Sequence, residues 1–116
     1  MGGAKDIKII KMEPIKFKNK QGEEFLIEFD NERYKKELVN GRMRWKFPHI
    51  VKDLTGNQIG HGDVAVMCKE DHEHISDDLI FTFLRRHAAS SIKEDMDSGE
   101  SIESRGYNAT VWDCRK

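Results

Sequence analysis

Between Arg42 and Phe47 the chain reads Arg-Met-Arg-Trp-Lys-Phe, a cation at every second position with a large apolar residue after each. In an extended strand successive side chains point to opposite faces, so Arg42, Arg44 and Lys46 fall on one face and Met43, Trp45 and Phe47 on the other. Lys35 joins the cations if the preceding segment pairs back as a hairpin. Four cations on one sheet face suit phosphate oxygens, with arginine able to grip them through two parallel N–H groups. The chemistry to expect there is capture of an anionic small ligand, a nucleotide, or a single-stranded nucleic acid. Two features weigh against it. Glu28, Glu32 and Glu37 lie close enough in sequence to neutralise the row, leaving a merely soluble sheet face. Trp45 and Phe47 point away from the cations, whereas single-strand binders stack bases on aromatic rings beside their basic groove.

The second cluster is Cys68-Lys69-Glu70-Asp71-His72-Glu73-His74. Cys68, His72 and His74 offer one sulfur and two imidazoles to a zinc ion, with His49, His61, His87 or Cys114 as a distant fourth ligand. Structural zinc sites combine two close ligand pairs, and a matched second pair is missing here. The segment therefore reads as a polar loop leading into a helix, and neither metal nor cofactor is expected. Catalysis has no motif to stand on: the chain contains no glycine-rich phosphate loop, no Gly-x-Ser-x-Gly elbow and no His-Glu-x-x-His pair. His87 lies on an apolar helical stripe, where a core or interface histidine is the simpler reading.

These residues have to be positioned by strands. Ile15 to Lys20 and Glu24 to Asp30 form a hairpin about Gly22, with Phe25, Ile27 and Phe29 on one face. Asn40-Gly41 is the favoured pair for a two-residue type I′ turn. Pairing outward from it sets Val39 against Arg42, Leu38 against Met43, Glu37 against Arg44 and Lys36 against Trp45, with Tyr34 opposite Phe47. The competing reading makes residues 31–39 a short helix capped by Asn31 and stopped at Gly41; the hairpin is preferred because both its faces are chemically sensible. Pro48 ends or bends the strand, a turn follows at Leu54-Thr55-Gly56-Asn57, and Gly60-His61-Gly62-Asp63 reads as a loop before a short strand through Val64 and Val66.

Ser76 caps the one clear helix, about 76–94, with Asp77 and Asp78 in its first turn. Ile80, Phe83, Leu84, His87, Ala88 and Ile92 follow core-facing helical spacing. Residues 95–105 are acidic and serine-bearing, a mobile connection, and about 107–114 closes the chain as a strand. The fold class expected is α+β in a single domain: an antiparallel meander over about 5–68 with the helix packed on one face and the C-terminal strand returned to the sheet.

The whole chain limits the choices further. With 116 residues, 37% hydrophobic and 35% charged, it matches one folded domain with a heavily charged surface. Residues 1–52 hold 13 Lys and Arg against 8 Asp and Glu, a balance of plus 5, and residues 53–116 hold 7 against 13, a balance of minus 6. The basic face could thus meet an anionic partner, or the acidic stretch Glu94 to Glu103 of a second copy, and a homo-oligomer is expected. Two cysteines are too few for a disulfide scaffold, and no secretory leader or membrane-length apolar run is visible, so a cytoplasmic protein with no membrane attachment is expected. The leading functional expectation is a non-catalytic binding protein for an anionic ligand. A protein-interaction or inhibitor module of the kind phages encode is the alternative, and a metal-binding domain or enzyme the third.

Overall fold

The computed structural model describes residues 11–68 and 76–112. In chain order the elements are β1 (Ile15–Lys18), β2 (Glu24–Phe29), β3 (Lys35–Val39), β4 (Arg42–Asp53), β5 (Gln58–Cys68), α1 (Asp77–Asp97) and β6 (Tyr107–Trp112). The class is α+β, a single sheet in the order β1-β2-β4-β5-β6 with β3 also paired to β4, and one helix against it. No helix among the described residues is long and apolar enough to cross a membrane.

The turns follow from local chemistry. Asn19 accepts the Gln21 and Glu23 N–H groups on its side-chain oxygen (3.1 and 2.9 Å) while Gly22 takes φ 83°, and β2 starts with Phe25, Ile27 and Phe29 buried in alternation. Asn40 and Gly41 adopt φ 53° and 79°, the two successive positive angles that a type I′ turn requires. The ladder beyond it has the register read from the sequence, from Val39 opposite Arg42 to Lys36 opposite Trp45, and continues to Lys35 opposite Lys46. A helix over residues 31–39 is thereby excluded; residues 31–33 form a turn in which the Asp30 carboxylate accepts the Glu32 and Arg33 N–H groups.

β4 is longer than the sequence suggested, because Pro48 neither ends nor breaks it. The N–H and C=O of one strand residue point toward the same neighbour, and the Pro48 carbonyl accepts from the Asp30 N–H (2.9 Å). The N–H that proline lacks would face the same place, the gap where β2 stops pairing at His49 and β3 begins pairing at Lys46. Proline therefore costs only the reciprocal bond to Asp30, at the very end of the β2 ladder. One edge of β4 thus carries β3 and β2 end to end, and the other carries β5.

Gly60-His61-Gly62-Asp63 is also not a loop but the middle of β5. The glycines serve close approach. A Cβ on Gly62 would lie 1.7 Å from the Arg105 carbonyl oxygen, and one on Gly60 would lie 2.3 Å from that of Ile102. Residues 102–105 run along β5 at this point, with the His61 N–H donating to Glu103 (3.1 Å) and the Arg105 N–H to His61 (3.0 Å). Replacing Gly62 with Ala should therefore destabilise the fold by about 2 kcal/mol through overpacking against backbone that cannot rotate aside. The same change at Gly56, which has open space for a Cβ but φ 90°, should cost about 1 kcal/mol from backbone strain alone. Equal midpoints for the two variants in a urea titration would contradict this reading of Gly62.

β6 pairs with β5 in parallel, Val64 opposite Tyr107. The sequence pattern gave the strand but not its direction. α1 begins at Ser76, whose hydroxyl accepts the Leu79 N–H (3.3 Å), and Gly99 at φ 80° follows its end. It runs three residues beyond the expected end, and its buried stripe is Ile80, Phe81, Leu84, Ala88 and Ile92. Phe81 replaces the expected Phe83 and His87, which are half-buried and stacked on each other at 6.0 Å. Against this stripe lie Ile27, Trp45, Phe47, Val51, Val64 and Val66 from the sheet and Met12 from the segment before β1.

Candidate anion-binding face

The helix covers one face of the sheet, and the described residues leave the other open. Along β4 the open face presents Arg42, Arg44, Lys46, Pro48, Ile50 and Lys52 in sequence, while Trp45, Phe47, His49 and Val51 are buried beneath α1. The alternation that predicted this is produced by burial of Trp45 and Phe47, which are 1% and 0% exposed. The Trp45 indole N–H donates to the Asp77 carboxylate (3.2 Å), which also pairs with Lys36 (3.0 Å), so the first turn of α1 holds the hairpin in place.

All four cations named from the sequence share this face. Lys35 and Lys46 are directly opposite each other across the β3–β4 ladder, and Arg44 is opposite Glu37. Arg44 donates to one Glu37 carboxylate oxygen through both Nε (3.1 Å) and Nη2. That hydrogen bond, with the charges of Arg44, Lys35 and Lys46, holds the Glu37 carboxyl below the ordinary carboxylate range. Lys46 stands 3.8 Å from Asp63, with both side chains well exposed. Lys35 and Arg42 are exposed, and neither makes an ion pair with any described residue. Among the described residues neutralisation is therefore partial: Glu37 engages Arg44, Asp63 approaches Lys46, and Lys35 and Arg42 have no carboxylate within ion-pair distance. Glu28 acts elsewhere, on Lys52 (3.0 Å).

Farther along the same face lies a concavity of 670 Å³ that sequence reasoning missed. Its lining includes Pro48 and Ile50 of β4, Glu28 of β2, Gln58, His61 and Asp63 of β5, Asp30 and Arg33 from the turn after β2, and Ser104. Its residues come from separate strands and a distant segment, so no local pattern announces it.

Of the metal candidates, Cys68 ends β5, and His72 and His74 lie outside the described residues, as does Cys114. His49 and His61 are on opposite faces of the sheet, and His87 is on α1, so these three do not converge. Among the described residues no cluster of three metal-ligating side chains occurs. The acidic segment proposed to meet a second copy is partly engaged within the chain, Arg105 approaching Asp95 (3.4 Å) and Glu100 (3.6 Å). Tyr107 is buried beside Asp95, and burial first and that carboxylate second raise its hydroxyl pKa above the ordinary value.

No family model, curated protein or solved structure matches the chain.

Proposed function

We propose that the protein is a non-catalytic binding protein that captures an anionic ligand, a nucleotide or a nucleic acid backbone, on the open sheet face at Lys35, Arg42 and Lys46. The observation that carries this reading is the register: Lys35 and Lys46 are directly opposite on one face, an arrangement of like charges that destabilises a sheet by a few tenths of a kcal/mol and that an anion between them relieves. Arg42 extends the positive region along β4, and Arg44, engaged by Glu37, positions the row and sustains its field. A bare sheet face with its aromatics buried beneath the helix favours phosphate contacts over base stacking.

The test is calorimetry with inorganic pyrophosphate and with a single-stranded oligonucleotide at low salt. Binding tighter than millimolar is expected, and the Lys35→Glu, Arg42→Glu double variant should weaken it at least tenfold while leaving the thermal midpoint within a few degrees, since both side chains are exposed. Oligonucleotide affinity should also fall steeply with added salt, as phosphate contacts release counterions. No binding of either probe, or binding unchanged by the double variant, would refute the reading.

A further inference from the structure

The cationic row and the concavity are continuous. Lys46, Pro48 and Ile50 are successive open-face positions of β4, so the row gives way to the groove over about 7 to 13 Å of strand. Asp63, which approaches Lys46 on one side, is also a wall of the groove.

The two ends ask for different chemistry. The groove has apolar lining in Pro48 and Ile50, against which a ring can pack, and carboxylates in Glu28, Asp63 and Asp30, the last approached by the one arginine of the lining, Arg33 (3.5 Å). Glu28 and Asp63 are each already paired through one oxygen, Glu28 Oε1 with Lys52 and Asp63 Oδ2 with Lys46, which leaves the second oxygen able to accept. With Arg33 directed to Asp30, the Glu28 and Asp63 side of the groove disfavours a second phosphate and favours N–H donors. Gln58 adds an amide that both donates and accepts. A ligand filling both ends is therefore anionic at one end and flat, uncharged and rich in N–H donors at the other.

We infer that the groove takes the amino-bearing base of a nucleoside monophosphate whose phosphate rests on Lys35 and Lys46. This rests on the anion-binding reading above and narrows it from any polyanion to a small ligand held by both ends. The volume of 670 Å³ is within the ordinary range for a small-molecule site.

Calorimetry with inorganic phosphate, adenosine 5′-monophosphate and uridine 5′-monophosphate at equal ionic strength tests it. The adenosine nucleotide should bind at least tenfold tighter than phosphate, and the uridine nucleotide, which lacks an exocyclic amino group, should bind more weakly than the adenosine one. Ile50→Glu should remove the advantage of the adenosine nucleotide while phosphate binding persists, and Gln58→Ala, at an exposed position that leaves the fold undisturbed, should reduce it severalfold. Equal affinity for phosphate and both nucleotides would overturn the groove assignment and leave the anion-binding reading standing. An oligonucleotide that binds where mononucleotides do not would also overturn it, in favour of backbone recognition. Binding of no probe would remove both readings together.

Discussion

Replacing Phe47 with Ala should destabilise the protein by about 3 to 5 kcal/mol, the range for deleting a buried aromatic ring. Phe47 is fully buried, stacked on Tyr34 at 4.5 Å and 4°, and in edge contact with Phe81 of α1 at 5.1 Å and Phe29 of β2 at 6.3 Å. It joins the hairpin, the neighbouring strand and the helix, so the cavity left behind has walls on three elements and cannot collapse onto any one of them. Leu38, only nine residues away and equally apolar, is 66% exposed, and Leu38→Ala should change stability by no more than about 0.5 kcal/mol. Urea unfolding of the two variants measures the contrast. A Phe47→Ala midpoint near that of the parent would mean that the helix does not rest on this part of the sheet.

The second large effect is on acid stability and comes from His49. It is 4% exposed, its ring lies 5.9 Å from that of Tyr107, and its Nδ1 has no hydrogen-bond partner among the described residues. Burial lowers its pKa from 6.5 to about 4, against a smaller raising effect from Asp63, with His61 lowering it further. The unfolded chain therefore binds a proton between pH 6.5 and 4 that the folded chain refuses. Stability is full above pH 6.5, falls as the pH drops through this window, and levels off below 4, a loss of about 3 kcal/mol from this residue. His49→Leu should flatten that part of the stability curve. His87, whose pKa is also lowered by burial, slopes in the same direction and is present in both proteins, so the difference between them isolates His49. Parallel curves from pH 7 to pH 4 would show that His49 is solvated and titrates normally.

How far the sequence could be read depended on whether the deciding interaction was local. Asn40-Gly41 fixed the turn, and with it every cross-strand pair as far as Lys36 opposite Trp45, because a two-residue loop leaves no freedom of register. The four cations followed from that register and the period of two. Ser76, Asp77 and Asp78 likewise announced the helix from its own first turn. Pro48 and Gly60-His61-Gly62-Asp63 were misread for one reason: their usual meaning as breakers was overridden by partners far along the chain. Pro48 sits at the junction of two strands that share an edge, and the glycines make room for residues 102–105. Neither partner is adjacent in sequence. The groove beside Lys46 was hidden in the same way, since Glu28, Ile50 and Asp63 meet only across three strands.

The parallel docking of β6 sets an order in time. Five, two and four residues join β1 to β2, β3 to β4 and β4 to β5, so these pairs close over short loops soon after their residues are available, whereas 38 residues separate β5 from β6. As the chain leaves the ribosome, the antiparallel part of the sheet, including Lys35, Arg42, Arg44 and Lys46, is complete in sequence before α1 has been synthesised. The cationic face is thus built from the portion of the chain made first, and the last segment to arrive lays residues 102–105 against glycines already in place on β5 and adds β6 beyond them, at the edge of a sheet whose cationic row it does not have to create.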